Sequence, residues 1–273
     1  MLLAQQTIIP FVTESVTELY EKTKADIVVI CVSELSVREV CILAFEFPWL
    51  CLIEKPAGYN MHDACLIKEA AKKFNTKAFV ALNRRHYSST RSVKHDLESF
   101  PANRVVHVFD QENPRIALDG GTPPLVVENW MYANSIHVAD YLTLLCRGEV
   151  ASVENVIKWD RMNPFFVLSK ILYTSGDIGI YEAVWNAPGP WAVSITTQER
   201  RWELRPLEKA TFVDYGSRSV TQFEVDEKDT ICKPGLVLQA QEAVNAARLL
   251  PNMLPNLDEG IKTMKLIEKI YES

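Results

Sequence analysis

The chain has 273 residues, 48% of them hydrophobic, with 29 basic and 35 acidic side chains and a net charge of −6. This length exceeds the usual size of one domain, so two domains are expected, and the hydrophobic content is enough for a sizeable core. The negative charge, and the lack of any basic run longer than Asn83-Arg84-Arg85-His86, argue against nucleic acid as a partner.

The 6 cysteines show no Cys-x-x-Cys pair and no other metal-ligand spacing. We therefore expect no metal site and interpret the cysteines as reduced, small apolar side chains. The apolar opening Met1–Ala4 is too short for a signal peptide and lacks a positive flank, and no long apolar stretch follows. Free thiols without a signal or a membrane-spanning stretch predict a cytoplasmic protein with no membrane partner.

The first part of the chain, from Thr7 to Leu82, alternates between short apolar runs and segments with apolar residues at helical spacing. The apolar runs are rich in β-branched residues, which is typical of parallel strands buried on both faces. Alternation of this kind predicts a doubly wound parallel sheet. The predicted strands are Thr7–Val12, Ala25–Val32, Leu50–Ile53 and one that begins at Lys77, and the predicted helices are Glu34–Phe47 and Met61–Phe74.

The apolar run at Leu50–Ile53 ends abruptly in Glu54, Lys55 and Pro56. In open parallel sheets ligands bind just outside the carboxyl ends of the strands, so these side chains are candidates for a binding site. Pro56 also disfavours the α-helical conformation at Lys55, which helps to fix the direction of that side chain.

The pattern changes in the middle of the chain. Ser88–Phe100 is a predicted helix, and Pro101 marks a boundary. The segment Asp110–Val127 contains Gly-Gly and Pro-Pro pairs and is predicted to be a loop over a cleft. Trp130–Leu145 is a further predicted helix, ended by Arg147-Gly148.

From Val150 to Val225, short runs alternate between apolar and polar residues. Period-two alternation predicts an antiparallel sheet with one face that is solvated or covered by a partner. The predicted strands are Ser152–Trp159, Phe165–Tyr173, Ile178–Trp185, Trp191–Thr197 and Arg201–Pro206, and the closing helices are Val237–Leu249 and Leu257–Tyr271. The expected fold class is α/β, over residues 1–103, plus α+β with a large antiparallel sheet, over residues 104–273.

Three motifs occur in order on the expected elements: Glu54-Lys55-Pro56 after a strand, Asn83-Arg84-Arg85 after the next strand, and Asn134-Ser-Ile-His137-Val-Ala-Asp140 on a helix. Together they resemble the Gfo/Idh/MocA family of NAD(P)-dependent sugar and polyol dehydrogenases, over most of the chain. Lys233-Pro-Gly and the closing helix are similar to a branch that acts in sugar biosynthesis. The resemblance implies an incomplete Rossmann-like domain followed by a substrate-binding and oligomerisation domain.

One part of the family pattern is missing. The 273 residues contain no Gly-x-Gly-x-x-Gly, the turn that holds the cofactor pyrophosphate at a helix N-terminus. Met1–Gln6 resembles the tail of the second β-α unit, so we expect that the first β-α-β unit, on the order of forty residues, is lacking. The resemblance therefore implies NAD or NADP as the cofactor, and the missing turn implies weak binding.

The resemblance implies catalytic roles for Lys55, which would orient and polarise the sugar hydroxyl, and for His137, which would exchange its proton. Glu54 is expected to anchor the strand end rather than to perform chemistry. The family commonly has an aspartate four residues before the histidine, and this chain has Ala133 there. Either the chemistry runs on Lys55 and His137 alone, or activity is weakened.

The remaining candidates fall into two groups. Arg84 and Arg85 either bind a phosphate or carboxylate or are solvated and salt-bridged, and Asp140 either fixes the imidazole tautomer or packs the helix. The predicted cofactor-binding residues are Val32, Ser33, Glu34, Glu54, Lys55, Pro56, Asn83 and Arg84. The predicted substrate-binding residues are Arg85, Tyr87, Asn134 and Asp140.

Two functions remain open. The first is an oxidoreductase that transfers a hydride between NAD(P) and a sugar or nucleotide-sugar, as in polysaccharide biosynthesis. The second is an inert binding or assembly protein that has lost its cofactor site.

A homodimer or homotetramer is expected through the antiparallel sheet, because large aromatic residues occur at both parities of its strands. The alternative is that the loop at 187–190 and the closing helices cover them. These aromatic residues are Trp159, Phe165, Phe166, Tyr173, Tyr181, Trp185, Trp191 and Trp202.

Overall fold

The computed structural model describes Thr7 and residues 9–272. Its first sheet has three parallel strands, β1 (Ile27–Ile30), β2 (Leu50–Glu54) and β3 (Lys77–Ala81), in that order. The sequence fits this role, because four of the five residues of β2 are apolar and buried. Helices α1 (Val16–Thr23), α2 (Val37–Ala44) and α3 (Met61–Lys73) precede the three strands in turn.

The strand predicted at Thr7–Val12 is wrong. Residues 9–12 have no regular secondary structure. Pro10 has no backbone N–H to give to a sheet, so the segment lacks one donor that a buried strand needs. Residues 1–6 and 8 lie outside the described residues, and with them the expected tail of a preceding unit at Met1–Gln6.

The second sheet has eight strands and lies mainly in the second half of the chain. They are β4 (Val105–Glu112), β5 (Val150–Ile157), β6 (Phe166–Tyr173), β7 (Ile178–Trp185), β8 (Ala192–Thr196), β9 (Arg200–Leu204), β10 (Ala210–Asp214) and β11 (Thr221–Gln222). Their order is β11-β10-β9-β8-β4-β7-β6-β5, and every pair is antiparallel except β4 with β7. The expected fold class is confirmed, with the difference that this sheet is mixed.

The loop predicted at Asp110–Val127 is wrong. Strand β4 continues through Asp110 to Glu112 in the middle of the sheet, and helices α5 (Pro114–Asp119) and α6 (Pro124–Glu128) follow it. The Gly-Gly and Pro-Pro pairs led to the misassignment, because they mark only the junction of α5 and α6. Asp110 and Glu112 of β4 are at most 1% exposed.

Two short turns and the helices that follow them carry the site. A 3₁₀ turn at Asn83–His86 leads into α4 (Ser88–Ser99), and a π-helical turn at Met131–Ser135 leads into α7 (Ile136–Leu145). The chain ends with α8 (Lys228–Ile231), α9 (Leu236–Ala247) and α10 (Leu257–Tyr271). Among the described residues, none of the helices has the length and apolarity needed to cross a membrane.

The last part of the chain returns to the first sheet. Val80 of β3 donates its backbone N–H to Pro255 O at 2.8 Å, and the α9 residues Ala243 and Ala246 pack in one apolar cluster with Leu50 and Leu52 of β2. A larger core runs from the first sheet through α7 to the inner face of the second. A division at residues 103 and 104 stays a prediction.

Four of the eight aromatic residues behind the oligomer prediction are buried, while Phe165 is 67% exposed. Tyr173, Tyr181, Trp185 and Trp202 are at most 4% exposed, and Tyr271 of α10 packs edge-on against two of them. An exposed aromatic surface is therefore the wrong premise, because helix packing covers this face. The expected pairing of two copies of the chain would therefore use the opposite face of this sheet.

A clamp at the start of α9 holds two distant segments together. The buried Asp229 carboxylate accepts the backbone N–H of Ser88 at 2.6 Å and that of Gly235 at 2.8 Å. Gly235 has φ +77°, and a Cβ built on it would overlap the carbonyl oxygen of Asn83. The position therefore requires glycine for its backbone conformation and for the close approach.

We predict that Gly235→Ala lowers the free energy of unfolding by roughly 2–5 kcal/mol, because left-handed strain and overlap with the Asn83 carbonyl add. Gly216→Ala is the matched control, since Gly216 has φ +76° but nothing within 4 Å of an added Cβ. The control should lose only about 1–2 kcal/mol. Urea denaturation measures both, and equal losses would contradict the close approach at Gly235.

Candidate active site

The carboxyl ends of β1, β2 and β3 meet at one edge of the first sheet because the strands are parallel. The predicted cofactor-binding residues lie along this edge. Val32, Ser33 and Glu34 follow β1, Glu54 ends β2 and is followed by Lys55 and Pro56, and Asn83 and Arg84 follow β3. The Lys55–Pro56 peptide bond is cis.

Lys55 reaches from this edge to the helix that carries His137. Its Nζ donates a hydrogen bond to the backbone carbonyl oxygen of Ala133 at 2.6 Å. Burial lowers the pKa of the ammonium group, and the negative charges of Glu54 and Glu34 oppose that shift. The position of the family's aspartate thus supplies a backbone oxygen instead of a carboxylate. Ala133 lies in the π-helical turn, a geometry that is rare and is often found at functional sites.

His137 stands just after this turn, in the first turn of α7. Its side chain is buried, and its Nδ1 atom has no hydrogen-bond partner. Burial lowers the pKa of the imidazole well below its usual value, and the positive charges of Arg84, Lys55 and Lys233 lower it further. The ring is therefore neutral near pH 7, which is the form that a proton acceptor needs.

Arg84 and Trp191 form another side of the site. The Arg84 guanidinium lies 4.7 Å from the centre of the Trp191 ring, and the same ring lies 6.1 Å from the imidazole of His137. Asn83 donates its side-chain N–H to the carbonyl oxygen of Pro234 at 3.2 Å, which holds the Lys233 segment near the strand ends. Sequence reasoning missed Trp191, and it noted the Lys233-Pro-Gly motif without giving it a role.

A second missed residue is Glu112, which supports the turn before His137. Its carboxylate accepts hydrogen bonds from Trp130 Nε1 at 2.5 Å, Asn134 Nδ2 at 2.8 Å and Ser135 Oγ at 3.3 Å. Burial raises its pKa well above the usual value, and the neighbouring Asp110 raises it further. A signal was present, because the alternation Val106-x-Val108-x-Asp110-x-Glu112 has strand period and places both acids on the face of the two valines.

Asn134 therefore points to Glu112, and two other predicted substrate-binding residues, Arg85 and Asp140, also have structural partners. Arg85 makes two hydrogen bonds to the Asp140 carboxylate, at 2.7 and 2.8 Å, and a third to Glu259 at 2.8 Å. Asp140 also accepts hydrogen bonds from Thr143 and Thr263, while Tyr87 is 1% exposed. Their substrate-binding roles stay predictions.

No protein-family model matches the chain, and no curated protein matches it by sequence. Solved structures share its fold. UDP-N-acetylglucosamine 3-dehydrogenase GnnA from Acidithiobacillus ferrooxidans aligns with a TM-score of 0.76 at 16% identity, over 95% of this chain and 81% of that one. Levoglucosan dehydrogenase in complex with NADH and levoglucosan aligns with a TM-score of 0.77 at 16% identity, over 96% and 81%.

A third structure is an oxidoreductase from Agrobacterium radiobacter in complex with NAD⁺, L-tartaric acid and magnesium. It aligns with a TM-score of 0.77 at 15% identity, over 100% of this chain and 84% of that one. At these identities the likeness establishes the fold alone, a Rossmann-like domain followed by a second sheet domain.

We predict that His137 makes stability depend on pH between about 5 and 7. Below about pH 6.5 the unfolded chain takes up a proton at this residue that the folded protein does not bind, so the free energy of unfolding falls on acidification. The raised pKa values of Asp110 and Glu112 act in the opposite direction. A comparison with a variant that keeps both acids cancels their contribution.

Urea denaturation of the wild type and of His137→Gln measures this effect. The free energy of unfolding of the wild type minus that of His137→Gln should decrease as pH falls from 7 to 5, by up to about 1.4 kcal/mol per pH unit. A difference that stays constant over this range would show that the folded protein protonates His137 as readily as the unfolded chain does.

Proposed function

We propose that this protein is an NAD(P)-dependent oxidoreductase that acts on a CH–OH group of a sugar or nucleotide-sugar. The observation that supports this best is the hydrogen bond from Lys55 to the turn before His137, at the carboxyl edge of the first sheet. It brings an ammonium group and a neutral imidazole together where this class of sheet binds ligands. The motif resemblance to the Gfo/Idh/MocA family points the same way.

The residues present fit the nicotinamide end of a cofactor better than its pyrophosphate end. The strand ends carry Ser33, Glu54 and Asn83. His137 has a buried Nδ1 atom without a hydrogen-bond partner, and the charge of Lys55 acts on its imidazole. The 273 residues contain no Gly-x-Gly-x-x-Gly turn for the pyrophosphate. We therefore propose that this chain binds NAD or NADP weakly.

The chemistry divides between two side chains. Lys55 uses one of its three N–H donors on Ala133 O, so the other two are free to donate to the sugar oxygen and to hold it in place. His137 accepts the proton of the substrate hydroxyl, while the hydrogen on the carbon that bears this hydroxyl leaves as hydride. Bound nicotinamide supplies the carbon that takes up or gives this hydride. The reverse reaction returns the proton from the imidazole to the carbonyl oxygen.

The substrate class is supported by two solved structures of the same fold, whose names are UDP-N-acetylglucosamine 3-dehydrogenase and levoglucosan dehydrogenase. We propose a sugar or nucleotide-sugar on this basis. The second candidate function is an inert binding or assembly protein. The missing glycine turn and Ala133, in place of the aspartate, favour it. Turnover distinguishes the two functions.

We predict that Lys55→Ala lowers kcat by at least about 100-fold, because it removes the group that holds and polarises the sugar oxygen. The dissociation constant for NADH should change only a few-fold, since other residues at the strand ends remain. Reduction of NAD⁺ and NADP⁺ with UDP-N-acetylglucosamine or levoglucosan, followed by absorbance, gives kcat, and fluorescence titration gives the cofactor affinity.

Lys72→Ala is the matched control, because Lys72 is an exposed lysine on α3. It should behave like the wild type. Equal turnover by Lys55→Ala would remove this lysine from the mechanism. Complete lack of turnover by the wild type, with intact fold and with a broad panel of sugars, would favour the inert binding protein.

We also propose that the outer face of the second sheet pairs two copies of the chain. On β6 and β7 this face carries Leu168, Leu172, Ile178, Ile180 and Val184, which are half-buried or exposed. A two-fold contact buries such a face in both copies at once.

We predict a mass of twice or four times 31.0 kDa by light scattering at micromolar concentration. Ile180→Glu should shift the protein to a monomer with unchanged circular dichroism, because a carboxylate in the contact would be desolvated. Ile116→Glu is the control, since Ile116 is 67% exposed on α5. A wild-type mass of 31.0 kDa would refute the pairing.

A further inference from the structure

Two adjacent arginines in the 3₁₀ turn differ in whether they have carboxylate partners. Arg85 is matched by the Asp140 and Glu259 carboxylates. Arg84, by contrast, forms no ion pair among the described residues, and its Nε atom is buried without a hydrogen-bond partner. Its Nη1 atom lies 3.5 Å from Asn83 Oδ1, at the limit of a hydrogen bond. The fold thus buries part of a guanidinium group without a hydrogen-bonded carboxylate among the described residues, although the charge of Glu54 acts on it.

Trp191 fixes the orientation of this guanidinium. The ring stacks against Arg84 at 4.7 Å, so one face of the guanidinium is covered and its N–H groups remain at its edge. A planar edge with several N–H donors matches a carboxylate or a phosphate in two parallel hydrogen bonds. The centre of the same ring lies 6.1 Å from the imidazole of His137. The donors of Arg84 are therefore held next to the reacting groups.

Two further cations complete this side of the site. Lys233 is exposed and forms no ion pair in the described part of the chain, and the Asp229 clamp and the Asn83–Pro234 hydrogen bond fix its segment. Lys55 contacts a neutral carbonyl oxygen rather than a carboxylate.

The charges that act on His137 are positive. Arg84, Lys55 and Lys233 all lower the pKa of its imidazole. Two acids lie nearby: Glu54 interacts with Lys55, Lys233 and Arg84, and Glu34 with Lys55, so three cations face two carboxylates. With an orphaned Nδ1 atom as well, His137 lies in a buried position with an excess of positive charge.

We propose that Arg84 and Lys233, with Lys55, bind a carboxylate or phosphate group carried by the sugar substrate close to its reacting carbon. This inference rests on the proposed function and narrows it to acidic sugars. Arg84 makes the paired hydrogen bonds, and Lys233 adds a charge from the solvent side. The anion neutralises the cluster, so its arrival favours protonation of His137, which is the form that the reverse reaction needs.

The experiment follows the His137 ring by ¹⁵N and ¹H NMR in histidine-labelled protein, without cofactor. The probes are D-glucuronate, D-glucose 6-phosphate, inorganic phosphate and neutral D-glucose, and His137→Gln assigns the signal. We expect at least one acidic sugar to bind and to raise the pKa of His137, and glucose to leave it unchanged. Inorganic phosphate alone should bind more weakly than the phosphorylated sugar.

Lys233→Met and Arg84→Gln test which cations hold the anion. Each should weaken binding of the acidic sugar by roughly tenfold or more, the usual effect of a lost charge-assisted hydrogen bond. Lys233 is exposed, so its variant should fold normally. Lys158→Met, at an exposed lysine beyond β5, is the control and should change nothing.

Three results would overturn the proposal: equal binding of glucose and both acidic sugars, no binding of any acidic sugar, or undiminished binding in both variants. Inorganic phosphate that binds as tightly as the phosphorylated sugar would indicate a simple anion site. A failed proposed function appears differently, as absent turnover with NAD⁺ and NADP⁺. The NMR signal needs neither cofactor nor turnover, so the two failures are distinguishable.

Discussion

The hydrogen bond from Lys55 Nζ to the carbonyl oxygen of Ala133 is the interaction on which the site depends. It joins the edge of the first sheet to the helix that carries His137. A hydrogen bond to a charged group contributes about 1.5–3 kcal/mol, which offsets part of the cost of burying the ammonium. The backbone oxygen adds no negative charge, and Glu54 and Glu34 supply the charges that favour the ammonium form. Two N–H donors remain for a ligand, and the positive charge of Lys55 helps to lower the pKa of His137.

A carboxylate of strand β4 stabilises the π-helical turn that contains this carbonyl. Glu112 accepts three side-chain hydrogen bonds from the segment between Trp130 and Ser135, and the buried Asp110 accepts one from Tyr181 at 2.5 Å. Two buried carboxyl groups are costly unless such donors surround them. We infer that this cost is accepted because the acids fix a turn whose π-helical geometry has few supports of its own.

Local patterns predicted much of this structure from the sequence. The strand ending in Glu54-Lys55-Pro56, most of the period-two strands and the helix with His137 follow from hydrophobic spacing and short motifs. What failed depended on distant contacts. The Gly-Gly and Pro-Pro pairs beyond β4 extended the predicted loop back into this strand. The parallel pairing of β4 with β7 joins segments far apart in sequence and has no local signal. The partners of Arg85 and the closeness of Lys233 likewise arise only in the folded chain.

The titration of Lys55 tests the central claim most directly. NMR of ¹³Cε-labelled lysines, with Lys55→Arg to assign the signal, gives the pKa of each ammonium group. Lys55 should titrate below the ordinary lysine value of about 10.4, because burial opposes its charge. Its signal should also respond when His137 is replaced by Gln. A Lys55 that titrates together with the exposed lysines, and does not respond to His137, would contradict the account.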